Sequence, residues 1–196
     1  IKSEQKLVNV YDICDTTHAK AIKITNKSLN RDVDIVIANW YDDVKSVIND
    51  KDSDFRGIQV YNKETHSKGN PDYPFLSIKR INEKSTETNG RLKKMIRFLK
   101  NVKADSSKEI KLSSFDFNAI CYDIDVDLYR NLNKYLLVAI VFNQLHLLST
   151  NENLAYNLKS VDEHEYIFRN KLDKYQSLKN LMEEVRAILT DLKPQL

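Results

Sequence analysis

The sequence predicts an α+β fold in which strands occupy the first third of the chain and helices the rest. Residues 19–24 alternate between apolar and polar side chains, and residues 33–40 are rich in β-branched ones. The two segments flank the turn-forming residues 26–30, a pattern typical of a β-hairpin. From Phe75 onward, apolar residues recur at intervals of three and four, as they do in amphipathic helices. A sheet followed by a helical lobe satisfies both patterns.

Three strands are predicted in the first third. The segment from Ala19 to Ile24 alternates apolar and polar residues and predicts a half-exposed strand, whereas Val33 to Trp40 is a nearly continuous apolar run and predicts a buried one. A polar connection from Asp42 to Arg56 leads to a third strand, from Gly57 to Tyr61. Residues 62–74 contain a glycine and two prolines and predict a loop.

Helices are predicted over the remainder of the chain. Thr88 or Asn89 is the predicted cap of a helix that starts at Arg91. A second helix, led by serine, begins near Ser113, and a mostly apolar one runs from about Leu128 to Leu148. These helices form the lobe that follows the sheet.

The last predicted helix covers residues 163–192. Its apolar positions are separated by steps of three and four, which favours a helix packed on its own domain. A coiled-coil seam is the alternative. The positions are Tyr175, Leu178, Met182, Val185, Leu189 and Leu192.

Charge and glycine content exclude some classes of protein. The 196 residues carry 31 basic and 28 acidic side chains, a net charge of +3. So small an excess permits local anion sites but does not indicate a surface that coats nucleic acid. The chain has three widely separated glycines, which excludes the glycine clusters of Rossmann and P-loop nucleotide sites.

Cysteines, histidines and apolar runs set the expected environment. Cys14 and Cys121 have neither metal-ligand spacing nor a disulfide framework, and they predict a reducing, cytoplasmic setting. The four histidines are scattered, so no zinc site is predicted. The longest apolar run, Tyr135 to Phe142, is too short to span a bilayer, and no membrane association is expected.

Aspartates cluster at two places. Asp32 and Asp34 open the apolar run, and side chains two residues apart on a strand share a face. A carboxylate beside a buried strand needs compensation, and a divalent metal is the usual one, with a solvated strand entry as the alternative. The second cluster, Asp123, Asp125 and Asp127, predicts a helix-capping turn rather than a metal site.

The order of four segments resembles a known family. The segments are the strand Asp34–Ala38, the strand from Gly57, the helix Thr88–Asn101 and the sequence Ile110–Phe115. In this order they resemble the C-terminal part of the nucleotidyltransferases related to oligoadenylate synthase and cyclic GMP-AMP synthase. The likeness covers residues 19–125 and is greatest with bacterial relatives that make oligonucleotide second messengers in anti-phage defence.

The resemblance implies an active site. Asp34 matches the family's third catalytic carboxylate, which binds Mg²⁺ or Mn²⁺ near the attacking hydroxyl, while Asp32 is expected to be solvated. Arg91 or Lys94, depending on the relative aligned, matches the basic residue that contacts the triphosphate. Ser114 matches a phosphate-binding serine and the next residue, Phe115, an aromatic that stacks on the base. The alternative is that Ser114 caps a helix and the phenylalanine belongs to the core.

The resemblance also implies substrates and domains. Nucleoside triphosphates, ATP, GTP or both, would be joined into an oligonucleotide or cyclic oligonucleotide with release of pyrophosphate. Residues 1–75 would form the C-terminal part of the catalytic sheet, and residues 76–196 a helical lobe that closes the nucleotide cleft.

The chain departs from the family in one respect that matters for activity. The Gly-Ser and D-x-D that carry the first two carboxylates do not occur upstream of Asp34, Ile37 replaces a proline, and the chain starts at Ile1 rather than Met. We expect the two carboxylates to lie in a preceding segment. The alternatives are a catalytically inactive nucleotide-binding or regulatory relative, and a helical interaction module that dimerises through its last helix.

Overall fold

The computed structural model has two compact units, Ile1–Phe75 and Leu76–Leu196. The first carries antiparallel strands and the second carries long helices, which confirms the predicted α+β class. Among the described residues, no helix combines the length and apolar character needed to cross a bilayer. The residues that the structure describes are 2–26, 28, 31–42, 44, 48, 56–130 and 134–192.

The first unit contains helix α1 and short strands in two three-stranded arrangements, with strand orders β1-β2-β3 and β4-β5-β6. The elements are α1 (Lys2–Val8), β1 (Cys14–Asp15), β2 (Ala21–Asn26), β3 (Arg31–Val36), β4 (Ala38–Tyr41), β5 (Gly57–Asn62) and β6 (Ser67–Lys68).

Strands β2 and β3 form the predicted hairpin. They pair antiparallel, with Lys23 opposite Asp34 and Thr25 opposite Asp32. Because side chains alternate along a strand, these four polar residues share one face. The other face of β2 carries two isoleucines that are almost fully buried, at positions 22 and 24.

The prediction of one buried strand from Val33 to Trp40 is wrong in two respects. The run is broken at Ile37, because β3 pairs with β2 whereas β4 pairs with β5. The side chains of Val33 and Val36 are 43% and 49% exposed. β-Branched residues favour an extended backbone whether or not a second layer covers them, and β3 has a single neighbouring strand among the described residues.

Trp40 is likewise exposed, to 56%. Its ring lies 5.5 Å from that of Phe75, centroid to centroid, and the Arg56 guanidinium carbon lies 4.6 Å from the indole centroid. Arg56 also makes a two-point contact with the carboxylate of Asp42, at 2.5 and 2.9 Å. Most of the predicted polar connection between those two residues lies outside the described part of the chain.

The second unit is built from helices packed around one core. Its elements are α2 (Pro74–Glu87), α3 (Arg91–Asp105), α4 (Ser114–Asp123), α5 (Val126–Tyr129), α6 (Lys134–Thr150), α7 (Glu152–Asn157) and α8 (Leu172–Leu192). The largest fully buried side chains belong to every helix from α3 to α8 except α7, and to the segments between them. They include Leu92, Leu99, Leu112, Phe117, Ile120, Tyr129, Val141, Leu145, Phe168, Leu178 and Leu181.

Two predicted helix bounds need correction. The apolar helix predicted over 128–148 is two helices, α5 and α6, separated by residues 130–133, of which 131–133 lie outside the described residues. The last helix starts at Leu172 rather than at 163, because Glu163 and Asn170 have positive φ angles of 68° and 58°. A residue in the left-handed region cannot continue a right-handed helix.

The start of α3 also differs from the prediction. The N-cap is Gly90, with φ of 77°, and not Thr88 or Asn89. Thr88 nevertheless satisfies one backbone donor at the start of the helix, since its hydroxyl accepts a hydrogen bond from the N–H of Leu92 at 3.3 Å. Asn89 and Gly90 are both left-handed, which lets the chain reverse tightly between α2 and α3.

The packing of α8 resolves the alternatives for the last helix. Tyr175, Leu178, Met182 and Val185 are buried in the core of the second unit, and Leu189 packs partly against it. The apolar stripe therefore faces its own domain, as expected, and is not a seam open to a second copy.

Candidate functional site

Asp32 and Asp34 share a face of β3 but differ in their partners. The Asp32 carboxylate lies 2.7 Å from the Lys23 ammonium and accepts a hydrogen bond from the Thr25 hydroxyl at 2.8 Å. These contacts hold the pKa of Asp32 below its ordinary value, with the hydrogen bond from Lys23 as the main cause. The side chain of Asp34 is exposed and makes no hydrogen bond or ion pair with the described residues.

Asp34 is the type of ligand that Mg²⁺ takes, an anionic oxygen. One carboxylate does not make a magnesium site, however, and no cluster of three or more His, Cys, Asp or Glu side chains in the described part of the chain could hold a metal ion. Asp34 would therefore need further ligands from elsewhere to hold a catalytic metal.

Helix α3 has one apolar and one basic face. Its apolar side packs into the core through Leu92, Met95, Ile96, Leu99 and Val102. Lys93, Lys94, Arg97 and Lys100 are exposed and cover the opposite side. A face of this kind, with four cations in two turns, attracts anions such as phosphates.

The two predicted phosphate ligands lie in the first turn of α3. The Arg91 guanidinium is half-buried and donates to the Thr88 carbonyl at 3.4 Å. The Lys94 ammonium has no hydrogen bond or ion pair with the described residues, whereas the adjacent Lys93 donates to the Asn82 side chain at 2.7 Å. Lys94 is therefore the better placed to contact a ligand.

The Ser-Ser-Phe sequence lies at the start of α4. The cap is Ser113, whose hydroxyl accepts from the Asp116 N–H in a capping box. The alternative in which Ser114 caps the helix is therefore wrong, and the Ser114 side chain is exposed in the first helical turn. Phe115 is half-buried and packs against the core, as the second part of that alternative predicted.

Asp116 is a buried site residue that sequence reasoning missed. Its side chain is fully buried and accepts hydrogen bonds from the backbone N–H and the hydroxyl of Ser113, at 2.7 and 2.9 Å. The Lys174 ammonium, on α8, lies 2.7 Å from the other carboxylate oxygen. The spacing Ser-x-x-Asp is a capping-box signal that points to Asp116, but nothing in the sequence points to Lys174.

The second aspartate cluster is the predicted capping turn. Asp125 is the N-cap of α5, and its carboxylate accepts from the Asp127 N–H at 2.7 Å. Asp123 accepts from the Gln144 amide at 2.8 Å. All three aspartates thus lie at a helix junction.

The predicted site residues thus divide between the units. Asp34 lies in the first unit, and Arg91, Lys94, Ser114 and Phe115 lie in the second, at the starts of two helices. The Lys103 ammonium, on α3, donates to the Leu112 carbonyl at 2.7 Å and so joins α3 to the segment that enters α4. An exposed aspartate, a basic helix and a capped Ser-Ser-Phe follow one another in the order on which the resemblance to nucleotidyltransferases rests.

Comparison with known proteins confirms this class. Residues 79–190 match the family described as the cGAS/DncV-like nucleotidyltransferase C-terminal helical domain, and the chain belongs to this family. Over 195 residues the chain is 62% identical to a c-di-GMP synthase of Capnocytophaga granulosa. The aligned region covers 99% of the chain and 56% of that protein. A c-di-GMP synthase of a Lachnospiraceae bacterium is 46% identical over 96% of the chain and 54% of its own length. The chain thus spans about half the length of these relatives.

Solved structures of CdnE enzymes have the same fold. The STING-associated CdnE c-di-GMP synthase from Capnocytophaga granulosa superposes with a TM-score of 0.91 and 59% identity, over 99% of this chain and 62% of that one. The STING-associated CdnE c-di-GMP synthase from Flavobacteriaceae sp. superposes with a TM-score of 0.89 and 41% identity, over 100% of this chain and 56% of that one. CdnE from Elizabethkingia meningoseptica, solved with GTP and Apcpp, superposes with a TM-score of 0.74 over 96% of this chain and 69% of that one. The identity is 18%, so this likeness shows a shared fold and nothing further.

Proposed function

We propose that this chain is the C-terminal part of a nucleotidyltransferase that joins two nucleoside triphosphates into a cyclic dinucleotide and releases pyrophosphate. The observation that carries the proposal is the 62% identity to a c-di-GMP synthase over 99% of the chain. The same identity favours GTP as the substrate, although the relatives' activity belongs to proteins about twice as long as this chain.

In the reaction a ribose hydroxyl attacks the α-phosphorus, and the bond between that phosphorus and the bridging oxygen to pyrophosphate breaks. Lys94 and Arg91 would neutralise the triphosphate and the charge that moves onto pyrophosphate. The exposed hydroxyl of Ser114 would donate to a phosphate oxygen, and the half-buried Phe115 would stack on a base. The hydroxyl proton leaves as the new bond forms, and Asp34 is proposed to help remove it.

We also propose that the activity depends on Mg²⁺ or Mn²⁺, with Asp34 as one ligand. When bound, such an ion supplies charge neutralisation at the phosphates and lowers the pKa of the attacking hydroxyl. The 196 residues contain no Gly-Ser followed by D-x-D, the arrangement that carries the family's other two carboxylates. They are proposed to lie in a segment encoded before Ile1.

A nucleotide-binding relative without activity is the alternative function. The encoding gene separates the two. An in-frame Gly-Ser followed by D-x-D upstream of the codon for Ile1 supports the enzyme. A start codon at or next to that position contradicts it.

The full-length gene product should be incubated with all four nucleoside triphosphates and Mg²⁺ or Mn²⁺, and the products separated by chromatography. We expect a cyclic dinucleotide containing guanine, and loss of at least about a thousandfold in rate in Asp34→Asn. Asp32→Asn is the matched control, because Asp32 is bound to Lys23 and Thr25, and it should retain most of the activity. Unchanged activity in Asp34→Asn would show that the catalytic assignment is wrong.

A defence role is proposed on the same basis. Two of the solved relatives are STING-associated c-di-GMP synthases, which favours a second messenger made during phage infection. The free cysteines, one of them buried, favour a reducing cytoplasmic setting for this synthesis. Cells that carry the intact gene with its neighbours should resist phage, and the Asp34→Asn allele should remove that resistance.

A further inference from the structure

One side of α8 carries polar side chains that hold the segment leading into α4. Three residues at intervals of three along the helix take part, and each contacts one residue of the segment 109–116. The pairs are Lys174 with Asp116, Ser177 with Lys111 and Asn180 with Glu109. We call these three contacts the α8 ladder.

The contacts of the ladder are direct, and two of the three are partly shielded from water. The Lys111 N–H donates to the Ser177 hydroxyl at 2.9 Å, and Ser177 is 3% exposed. The Asn180 amide donates to the Glu109 carbonyl at 3.1 Å. Two of the three contacts therefore fix backbone groups of the segment, which is a stronger constraint on its path than contacts between flexible side-chain ends.

The Lys174 contact reaches the start of α4. Asp116 uses one carboxylate oxygen for the N–H and hydroxyl of Ser113 and the other for the Lys174 ammonium. A buried carboxylate is stable in a folded protein when it is paired and hydrogen-bonded, and Asp116 has both kinds of partner. Lys174 holds the carboxylate oxygen that Ser113 does not use, and so helps to fix the orientation in which Asp116 contacts Ser113.

The position of Lys174 on α8 supports a role in this contact. It lies in the first turn of the helix, where the helix dipole disfavours a positive charge. The stability of α8 itself therefore does not explain a lysine at this position. The buried carboxylate of Asp116 does.

We propose that Lys174 is a positioning residue for the nucleotide site. Through Asp116 and Ser113 it sets the conformation of the first turn of α4, and thereby places the Ser114 hydroxyl and the Phe115 ring against the nucleotide. The inference rests on the proposed function, in which these two residues contact a nucleoside triphosphate. Lys174 itself does not touch the nucleotide.

The test is equilibrium binding of the α,β-methylene analogue of GTP, which cannot release pyrophosphate, to the full-length gene product. We expect Ser114→Ala and Lys174→Met each to raise the Kd about tenfold, the value of one hydrogen bond to a charged group. The double variant should bind no more weakly than the weaker single variant, because both changes remove the same contact. Lys174→Arg retains the charge and should restore most of the affinity.

A matched control separates positioning from loss of charge. Lys179→Met makes the same change on the same helix, at a lysine whose ammonium lies over the Tyr175 ring and outside the ladder, and should leave the Kd unchanged. If Lys174→Met does not fold, the double variant Asp116→Asn, Lys174→Met leaves no unpaired buried charge. The asparagine amide can still accept from Ser113 but is no longer tied to α8, so a raised Kd is again expected.

The outcomes distinguish the two proposals. If Ser114→Ala raises the Kd but neither variant of Lys174 does, the positioning role is overturned and the nucleotide site stands. Additive effects of Ser114→Ala and Lys174→Met overturn it as well. If Ser114→Ala has no effect on the Kd, the nucleotide contact itself is overturned, and the inference falls with it.

Discussion

Asp32 and Asp34 show how two identical side chains on one strand acquire different properties from their neighbours. Alternation along the strand predicts from sequence that both share a face. The hairpin register places Thr25 opposite Asp32 and Lys23 opposite Asp34, but the Lys23 ammonium reaches diagonally to Asp32, so register alone does not decide which aspartate is paired. The sequence therefore predicted that the two side chains share a face, but the expectation of a solvated Asp32 missed its contacts with Lys23 and Thr25.

The lowered pKa of Asp32 predicts a pH effect on stability. The hydrogen bond from Lys23 stabilises the ionised carboxylate, so its contribution is present above the ordinary pKa of about 4 and is lost as the pH falls through the lowered value in the folded state. Asp32→Asn should therefore be less stable than the natural protein at pH 6 and approach it near pH 2, measured by urea unfolding. Since Asp32 is exposed, we expect a small difference, and Lys23→Met should reproduce it. A difference that grows toward low pH would contradict this assignment.

The two cysteines predict a difference in thiol reactivity. Burial raises the pKa of Cys121 to about 12, and the thiolate is the reactive form, whereas Cys14 is only half-buried. A disulfide reagent at pH 8 should modify Cys14 alone in the native protein and both thiols in denaturant. Mass spectrometry of the Cys14→Ser variant is the check, because its one remaining thiol should stay unmodified until the protein unfolds. Rapid modification of Cys121 in the native state would mean that it is not buried.

Asp116 and Lys174 mark the limit of what residue patterns reveal. The capping box around Asp116 spans three residues and is visible in the sequence. Its partner lies 58 residues away, on a helix whose docking is determined by the whole core. A local pattern contains no information on such a pair.

At the scale of elements, periodicity predicted where helices occur better than where they end. The helices predicted from the apolar spacing of α3 and α8 are confirmed, because a helix packed on one core buries apolar residues along a single side. The start of α8 was placed too early, since positive φ angles at Glu163 and Asn170 break a run that composition alone leaves helical. The strand predicted over 33–40 failed for a related reason, because its division between two sheets depends on which strand each half pairs with.

Because the apolar stripe of α8 is buried in the second unit, a charged residue placed in it should unfold the protein rather than dissociate an oligomer. Val185 is fully buried in the core of the second unit, so Val185→Asp should cost more than about 3 kcal/mol. Ala187→Asp, on the exposed side of the same helix, should lower the free energy of unfolding by about 0.5 kcal/mol at most. Urea unfolding measures both, and light scattering measures the mass. A folded Val185→Asp variant with a reduced mass would instead support association through this helix.

At the scale of the whole molecule, the apolar core is unevenly distributed. The core cluster runs from Leu92 to Val185 and lies entirely in the second unit. In the described part of the first unit the buried apolar side chains are Ile22, Ile24 and Tyr73. So few buried side chains are below what a domain of that size needs to fold by itself.

This distribution predicts that residues 76–196 fold as a separate polypeptide. We expect a helical circular dichroism spectrum and a single cooperative transition in urea, because the core cluster is complete within that range. Residues 1–75 alone should give no cooperative transition. A separate helical unit that lacks cooperative unfolding would show that the first unit contributes to its core.

The α8 ladder also has a consequence for the order of folding. Its three contacts join residues 58, 66 and 71 positions apart, and contacts of such long range form late because loop closure must come first. On the ribosome, a nascent chain that has emerged only to residue 170 contains all of α4 but not Lys174. The first turn of α4 would then acquire its final conformation only when α8 docks. The amide hydrogen of Lys111 should accordingly exchange through an opening of α8 alone, at a lower free energy than amides in the middle of α3.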